Sequence, residues 1–248
     1  TIGRRQRQMC IRDSMWGYGA SEGSVFVELI TSGEAWGRGP TYSNIHGGRK
    51  RQVDAPGWRH IKMLATLVDD TGNEVLIDGF YDDVVPLTED EEAILREAAE
   101  DYDVTVAAER LGVARFISDD PYEVQKLSRY GQSMNLDGIW AGNMFEGGSG
   151  AILPNRIVSK HNFRYVPNQT GPDIVAKLRA HLDKHGYEDV EINVVGDVPW
   201  AKMDDNNELA MAVREMRETF GAGNPEPILE ETILGGYWPA YLFAGDVY

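Results

Sequence analysis

Hydrophobic residues recur along the chain with two different spacings, and each spacing predicts one kind of element. Alternating, β-branched and aromatic patterns, which are typical of strands, cover residues 24–30, 133–140, 156–166 and 190–194. Spacings of three and four residues, which place hydrophobic side chains on one face of a helix, follow Pro56 and Thr170. The sequence therefore predicts the order strand, helix, strand, strand, helix, strand.

Both predicted helices carry start and stop signals. In the first, Asp54 is the predicted N-cap, and Pro56 lies in the first turn, where its missing N–H costs no hydrogen bond. This helix is expected to end near residues 69–72. In the second, Thr170 is the predicted cap and Gly186 ends the helix. The predicted buried face of the first helix consists of Trp58, Ile61, Leu64, Ala65 and Val68.

Alternation also assigns side chains to the faces of the predicted strands. Along residues 156–166, Lys160, Asn162 and Arg164 share one face. Along residues 133–140, the alternation predicts one common face for Met134, Leu136 and Trp140.

Residues 73–132 form an acidic, helical block between these elements. Thr88 and Glu91 have the spacing of a capping box, a second helix is predicted over 104–111, and a third from Asp120 to about Gly131. The charges of this block are expected to lie on a solvated face. We interpret the block as an insertion, because the order that remains without it is that of an α+β, two-layer, ferredoxin-like (split βαβ) fold. A domain boundary is predicted near Pro199.

Composition excludes several classes of protein. The chain has 248 residues, a formal net charge of −16 and 42% hydrophobic residues, which argues against nucleic acid or an anionic membrane as the main partner. Its single cysteine excludes a disulfide scaffold and a CxxC zinc site. No apolar run reaches the length of a membrane span. The sequence does not fix the compartment, and a cytoplasmic location is our expectation.

The two ends are interpreted as foreign to the gene. Residues 4–14 match the translation of a transposase sequencing adapter, so residues 1–14 are treated as a scar. Residues 246–248 fit the same adapter in another frame. The native part is then about 15–245, and the chain is expected to be an internal fragment of a longer protein.

Local spacing alone reveals no catalytic centre. Glycine-rich stretches at 17–23 and 147–150 lack the following helix N-terminus that a phosphate cradle needs. His181 and His185 are four apart on a helix but lack a Glu partner and a third ligand, so surface or boundary histidines are the preferred interpretation. Taken alone, His46 and Arg164 are an ordinary loop histidine and a solvated strand arginine.

Several segments, in order, resemble a known enzyme family. Residues 161–168, HNFRYVPN, followed by a Thr-capped helix, resemble the FxxRxVPN segment of the M20 family of dinuclear-zinc exopeptidases and deacylases, which includes carnosinase, aminoacylase and acetylornithine deacetylase. Residues 44–48, NIHGG, are similar to the DLHSG segment of that family. The remaining matches are GSG with the later LP (148–154), Pro199-Trp200, and TILGGYWP (232–239).

The resemblance implies roles for particular residues. His46 would stabilise the oxyanion of the tetrahedral intermediate in the partner subunit's active site, and Arg164 would hold the substrate carboxylate. Gly235, Gly236 and Tyr237 would contact substrate, although Ile233, Leu234 and Tyr237 depart from the Arg, Glu and Ser of the family. Gly47 likewise replaces a serine.

The resemblance also implies a domain plan and cofactors. Residues 15–198 would be a lid and dimerisation domain that carries the helical insertion at about 73–132, and residues 199–245 part of an α/β catalytic domain. The family uses two zinc ions, but its ligand segments have no counterpart here. We therefore expect this segment alone to bind no catalytic zinc, to supply no metal ligands and to hydrolyse nothing.

The predicted parent is a zinc-dependent peptidase or amidohydrolase that cleaves a peptide or N-acyl amide bond near a free carboxylate, as a homodimer joined through the lid. Its substrate would be a small peptide or an N-acyl amino acid. Two alternatives remain open: a non-catalytic dimerisation or small-molecule-binding module, since fold does not fix function, and an inactive homologue.

Overall fold

The computed structural model describes residues 17–18, 20–144, 146–147, 150–202, 208, 211–212, 215, 229–230 and 240–242. Both predicted adapter segments, 1–14 and 246–248, lie outside these residues. The described strands are β1 (Gly17–Tyr18), β2 (Ala20–Ser21), β3 (Gly23–Ser32), β4 (Ile45–His46), β5 (Ser133–Trp140), β6 (Ile152–Leu153), β7 (Arg156–Tyr165), β8 (Glu191–Val198), β9 (Ala201–Lys202) and β10 (Leu229–Glu230). The α-helices are α1 (Gly33–Trp36), α2 (Pro56–Leu64), α3 (Glu89–Glu100), α4 (Val104–Leu111), α5 (Pro121–Tyr130) and α6 (Gly171–Lys184), and 3-10 helices cover Gly47–Arg51 and Ala240–Leu242.

The chain divides into two compact units. The first, which we call the sheet unit, comprises residues 23–85 and 132–199, and the second, the helical unit, comprises residues 1–22, 86–131 and 200–248. The boundary at 199/200 coincides with the position predicted from Pro199.

A four-stranded antiparallel sheet organises the sheet unit. Its strand order is β5-β7-β3-β8, so β3 and β7 are central and β5 and β8 are the edges. Helices α2 and α6 both pack against β3. The six elements therefore follow one another along the chain in the predicted order. The most buried side chains of the two central strands include Val25, Val27, Leu29, Ile157, Phe163 and Tyr165.

Helix α2 differs from its prediction in cap, length and buried face. Ala55 rather than Asp54 is the N-cap, without a side-chain cap bond, and the helix ends at Leu64 rather than near residues 69–72. The predicted stripe is also wrong, because Trp58 and Ile61 are exposed while His60 and Met63 are buried. The helix has two apolar faces, and the sheet covers the one that includes a histidine.

Strand β5 also departs from simple alternation. A β-bulge between Leu136 and Gly138 shifts the register against β7, so that Leu136 pairs with His161 and Trp140 pairs with Val158. His161 and Val158 lie on opposite faces of β7. The predicted common face of Met134, Leu136 and Trp140 is therefore wrong, since an extra residue in one strand reverses the side chains beyond it.

Local signals predicted the remaining helices well. Thr170 caps α6 by accepting a hydrogen bond from the Asp173 N–H. Thr88 and Glu91 form the predicted capping box at the start of α3, and the bounds of α4 and α5 agree with those expected.

The start of the predicted insertion differs from the observed division. Residues 73–85 belong to the sheet unit, where Val75, Ile77 and Phe80 are buried. The side-chain amide of Gln169 donates to the Phe80 carbonyl at 2.6 Å, which ties this segment to the turn before α6. Within the predicted insertion, the residues that belong to the helical unit begin at Pro86.

Among the described residues, no helix is both long enough and apolar enough to cross a bilayer.

Candidate functional site

His46 lies on a short ribbon beside the main sheet. It ends β4, where it pairs with Ile152 of β6, and its side chain caps the 3-10 helix that follows. The Gly48 N–H donates to Nδ1 of His46 at 3.1 Å. A Cβ at Gly48 would lie 3.0 Å from that nitrogen, so glycine allows this close approach.

The bond from Gly48 fixes the tautomer of the neutral His46 ring. Because Nδ1 accepts a hydrogen bond, it carries no proton, and the ring proton must be on Nε2. His46 is exposed, and within the described chain nothing accepts a hydrogen bond from Nε2. The exposed ring therefore carries one oriented N–H donor, on Nε2.

Arg164 lies near the far end of β7, paired with Ser24 on one side and Ser133 on the other. It is half-buried on the polar face that also carries Lys160 and Asn162, as the alternation predicted. Its Nε donates to Oδ1 of Asn162 at 3.2 Å.

The residues after Arg164 build a turn rather than a binding surface. Tyr165 and Val166 are buried, and the Tyr165 hydroxyl donates to Asp197 at 2.6 Å. Burial and the Asp197 carboxylate raise the pKa of Tyr165. Asn168 has a left-handed backbone (φ 76°), and its side chain donates to the Asp83 carbonyl at 2.9 Å. The motif therefore uses these other residues to anchor the end of β7 that carries Arg164.

The structure places His46 and Arg164 in one unit but at opposite ends of β7. His46 pairs with Ile152, which lies four residues before Arg156, the first residue of β7. Arg164 is the penultimate residue of that ten-residue strand. At about 3.3 Å per residue, the ends of such a strand are roughly 30 Å apart. One small peptide cannot contact both side chains of the same subunit.

An exposed apolar surface lies next to His46. Its members come from α2, the end of β5 and the segment up to β6, and we call it the α2–β5 patch: Trp58, Ile61, Ile139, Trp140, Met144 and Ile152. Trp58 and Met144 are 63% and 61% exposed. Ile152 belongs to the patch and is also the strand partner of His46, so His46 lies at its border.

A buried chain of polar side chains, which the sequence did not reveal, lies between α2 and the sheet. His60 Nδ1 is 2.8 Å from Thr31 Oγ1, His60 Nε2 is 2.9 Å from Ser159 Oγ, and Ser159 Oγ is 2.8 Å from His161 Nε2. All four side chains are almost fully buried. Burial lowers the pKa of both His60 and His161 to about 4. The alternation along β7, which places Ser159 and His161 on the inward face, was the one signal in the sequence that could have predicted these contacts.

The other residues that the sequence singled out do not form a site among the described residues. Gly235, Gly236 and Tyr237 lie outside the described residues. His181 is buried rather than at a surface, bonded through Nε2 to Thr66 at 3.2 Å, while His185 is exposed. Burial lowers the pKa of His181, with a contribution from the neighbouring His185. In the described ranges no three His, Cys, Asp or Glu side chains are grouped so that they could hold a metal.

Known proteins match most of this chain. Beta-Ala-His dipeptidase from Homo sapiens is 31% identical over 169 residues, 65% of this chain and 32% of that protein. Cys-Gly metallodipeptidase dug1 from Schizosaccharomyces pombe is 27% identical over 185 residues, 71% of this chain and 36% of that protein. The chain thus spans about a third of the length of these curated relatives. No family model matches it.

Solved structures agree with the sequence matches. The M20 family metallo-carboxypeptidase Sso-CP2 from Sulfolobus solfataricus aligns with a TM-score of 0.78 and 28% identity, over 93% of this chain and 56% of that one. The dipeptidase Dug1p from Saccharomyces cerevisiae shares the fold, with a TM-score of 0.73 and 21% identity over 95% of this chain and 49% of that one.

These matches define a class, that of metal-using peptidases, which are hydrolases. Within that class, the chain is similar to the M20 family metallo-carboxypeptidase and to the two dipeptidases over most of its own length.

Proposed function

We propose that this chain provides the lid of an M20 dipeptidase or deacylase that hydrolyses a peptide or N-acyl amide bond next to a free carboxylate. The observation that carries the proposal is the placement of a single oriented N–H donor, His46, and a cation, Arg164, at opposite ends of β7 in one compact sheet unit. Relatives named as dipeptidases support the substrate class.

The topology of the sheet unit supports the assignment as a lid. Four antiparallel strands and two helices, with the second, third, first and fourth strands side by side, form the ferredoxin-like pattern expected of that domain. The two zinc ions of the proposed enzyme would be bound outside the described residues. When bound, such ions activate water and polarise the scissile carbonyl. The described residues of this chain bind and orient the substrate instead.

Arg164 is proposed to bind the substrate carboxylate. Its guanidinium is a planar fork that pairs with two carboxylate oxygens. We expect Arg164→Met in the full-length protein to lower kcat/KM for a dipeptide by about 100-fold, through KM, because an Arg–carboxylate pair in a closed site contributes about 2–3 kcal/mol. The same dipeptide with a C-terminal amide should be almost unaffected. Lys160→Met, on the same face of β7, is the matched control. Equal losses for both substrates would refute the assigned contact.

The protein is proposed to act as a homodimer through the α2–β5 patch. β5 is an edge strand, so its outer backbone groups are available for pairing with a second copy. The neighbouring side chains are apolar and exposed. Because His46 borders the patch, this dimer would bring the His46 of one subunit towards the partner, which accounts for its distance from Arg164 within a subunit.

The dimer surface can be tested on the chain itself. We expect Trp58→Glu to convert a dimer into a monomer in sedimentation equilibrium, because it places a charge in the middle of an apolar interface. Trp58 is exposed in the subunit, so the fold should persist. Val195→Glu, at an exposed position of the opposite edge strand β8, should leave the dimer intact. Dissociation by Val195→Glu alone would assign the interface to β8.

The non-catalytic alternative makes an opposite prediction. A binding or dimerisation module would retain dimerisation, but the full-length protein would show no metal-dependent hydrolysis. An inactive homologue would give the same result.

A further inference from the structure

The contact between Arg164 and Asn162 points to a role for a residue at a position that the FxxRxVPN pattern leaves variable. The two side chains are two positions apart on β7 and therefore share a face. Oδ1 of Asn162 accepts a hydrogen bond from Nε of Arg164 at 3.2 Å, and both residues are half-buried.

A second contact fixes which way the Asn162 amide points. Its Nδ2 donates to Oδ1 of Asp137 at 2.5 Å. An ionised carboxylate is acceptor-only, so the amide group that faces Asp137 must be the NH₂. The carbonyl oxygen must then face Arg164. Asn135 also donates to the same Asp137 oxygen, at 2.6 Å, which holds the carboxylate in place.

The bulge in β5 explains why Asp137 can reach this face. Asn135 pairs with Asn162, but the register shifts between Leu136 and Gly138 and leaves Asp137 without a strand partner. Bulges commonly re-aim one side chain in this way. The irregularity in β5 thus supplies the carboxylate that orients Asn162.

We infer that Asn162 is a positioning residue for Arg164, with Asp137 fixing its amide, so that the guanidinium meets the substrate carboxylate in one orientation. This inference rests on the proposed function of Arg164. A neutral amide suits the task, because a carboxylate bonded directly to Nε would place a competing negative charge beside the substrate anion.

The test compares a dipeptide with its C-terminal amide in the full-length protein. For Asn162→Ala we expect kcat/KM for the free dipeptide to fall about tenfold, through KM, with the amide substrate unchanged. Asp137→Asn should give a smaller fall, because an amide at 137 permits both orientations of Asn162. Asn193→Ala is the matched control, since Asn193 bonds Glu28 at 3.0 Å and not Arg164. Equal losses for both substrates in Asn162→Ala would indicate a structural role and overturn the inference.

A second readout does not depend on activity. In this chain, the Nε–H proton of Arg164 should exchange with solvent faster in Asn162→Ala and in Asp137→Asn than in wild type or Asn193→Ala. Unchanged exchange would contradict the inference.

The proposed roles of Arg164 and Asn162 can be refuted separately. If Arg164→Met keeps the preference for a free carboxylate, the proposed role of Arg164 is wrong. If Arg164→Met loses that preference but Asn162→Ala behaves as wild type, Arg164 keeps its role and only the positioning by Asn162 is refuted.

Discussion

Lowering the pH from 7.5 to 5 is expected to destabilise the sheet unit by about 4 kcal/mol. His60 and His161 are held neutral in the folded protein with pKa values of about 4, whereas the ordinary value is 6.5. A depressed histidine pKa stabilises the folded state above pH 6.5, and this contribution is lost as the pH falls towards 4. Each ring accounts for about 2 kcal/mol of the loss by pH 5.

Other charges near the pair modify this loss without reversing it. The His161 ring further lowers the pKa of His60, while the Asp137 carboxylate and the Asn135 backbone partly favour protonation of His161. His181, whose pKa burial also lowers, adds a loss of the same sign. Most carboxylates stay ionised at pH 5, so histidines are the main side chains that change their protonation between pH 7.5 and 5.

Hydrogen exchange of the β3 and β7 amides in mild urea would measure the effect within the sheet unit. His161→Leu removes one of the two rings and should reduce the pH-dependent loss to about half. His185→Gln, at an exposed position next to His181, should leave the part of the loss that comes from His60 and His161 unchanged. Protection that is constant between pH 7.5 and 5 would mean that the buried rings are not neutral as described.

Replacing His46 by Ala is expected to lower kcat of the full-length protein by about 10²–10³, with little change in KM. The reason is that an N–H donor aimed at a developing oxyanion stabilises the transition state far more than the ground state. Nδ1 is occupied by the Gly48 N–H, so the donor is Nε2.

His46→Gln keeps a side-chain N–H donor and should therefore retain part of the wild-type kcat. His185→Ala, the control, should retain all of it. A rise in KM with unchanged kcat for His46→Ala would indicate ground-state binding and refute the assigned role.

Local signals in the sequence predicted most helix ends because caps involve neighbours in the chain. Thr88 and Thr170 accept hydrogen bonds from backbone groups three residues on, so sequence spacing suffices to find them. The buried face of α2 could not be predicted in this way. Two apolar faces compete there, and the sheet buries the one with His60, whose polar atoms are satisfied by Thr31 and Ser159.

The candidate site was predictable only in part. Resemblance, not spacing, singled out His46 and Arg164. Neither the ~30 Å that separates their ends of β7 nor the contact between Asn162 and Asp137 follows from the sequence, because the bulge that brings Asp137 to that face depends on how β5 pairs with β7.

The central claim is that this lid serves an active site across a dimer, and mixed dimers test it most directly. A full-length His46→Ala variant and a variant that lacks a metal ligand in the rest of the protein should each be inactive and regain dipeptide hydrolysis when mixed. Equal mixing leaves half of the protein as mixed dimers, each with one site that has both an intact metal centre and the partner's His46, so about a quarter of wild-type activity is predicted. Activity that stays at the level of the separate variants, although exchange of subunits is complete, would contradict the account.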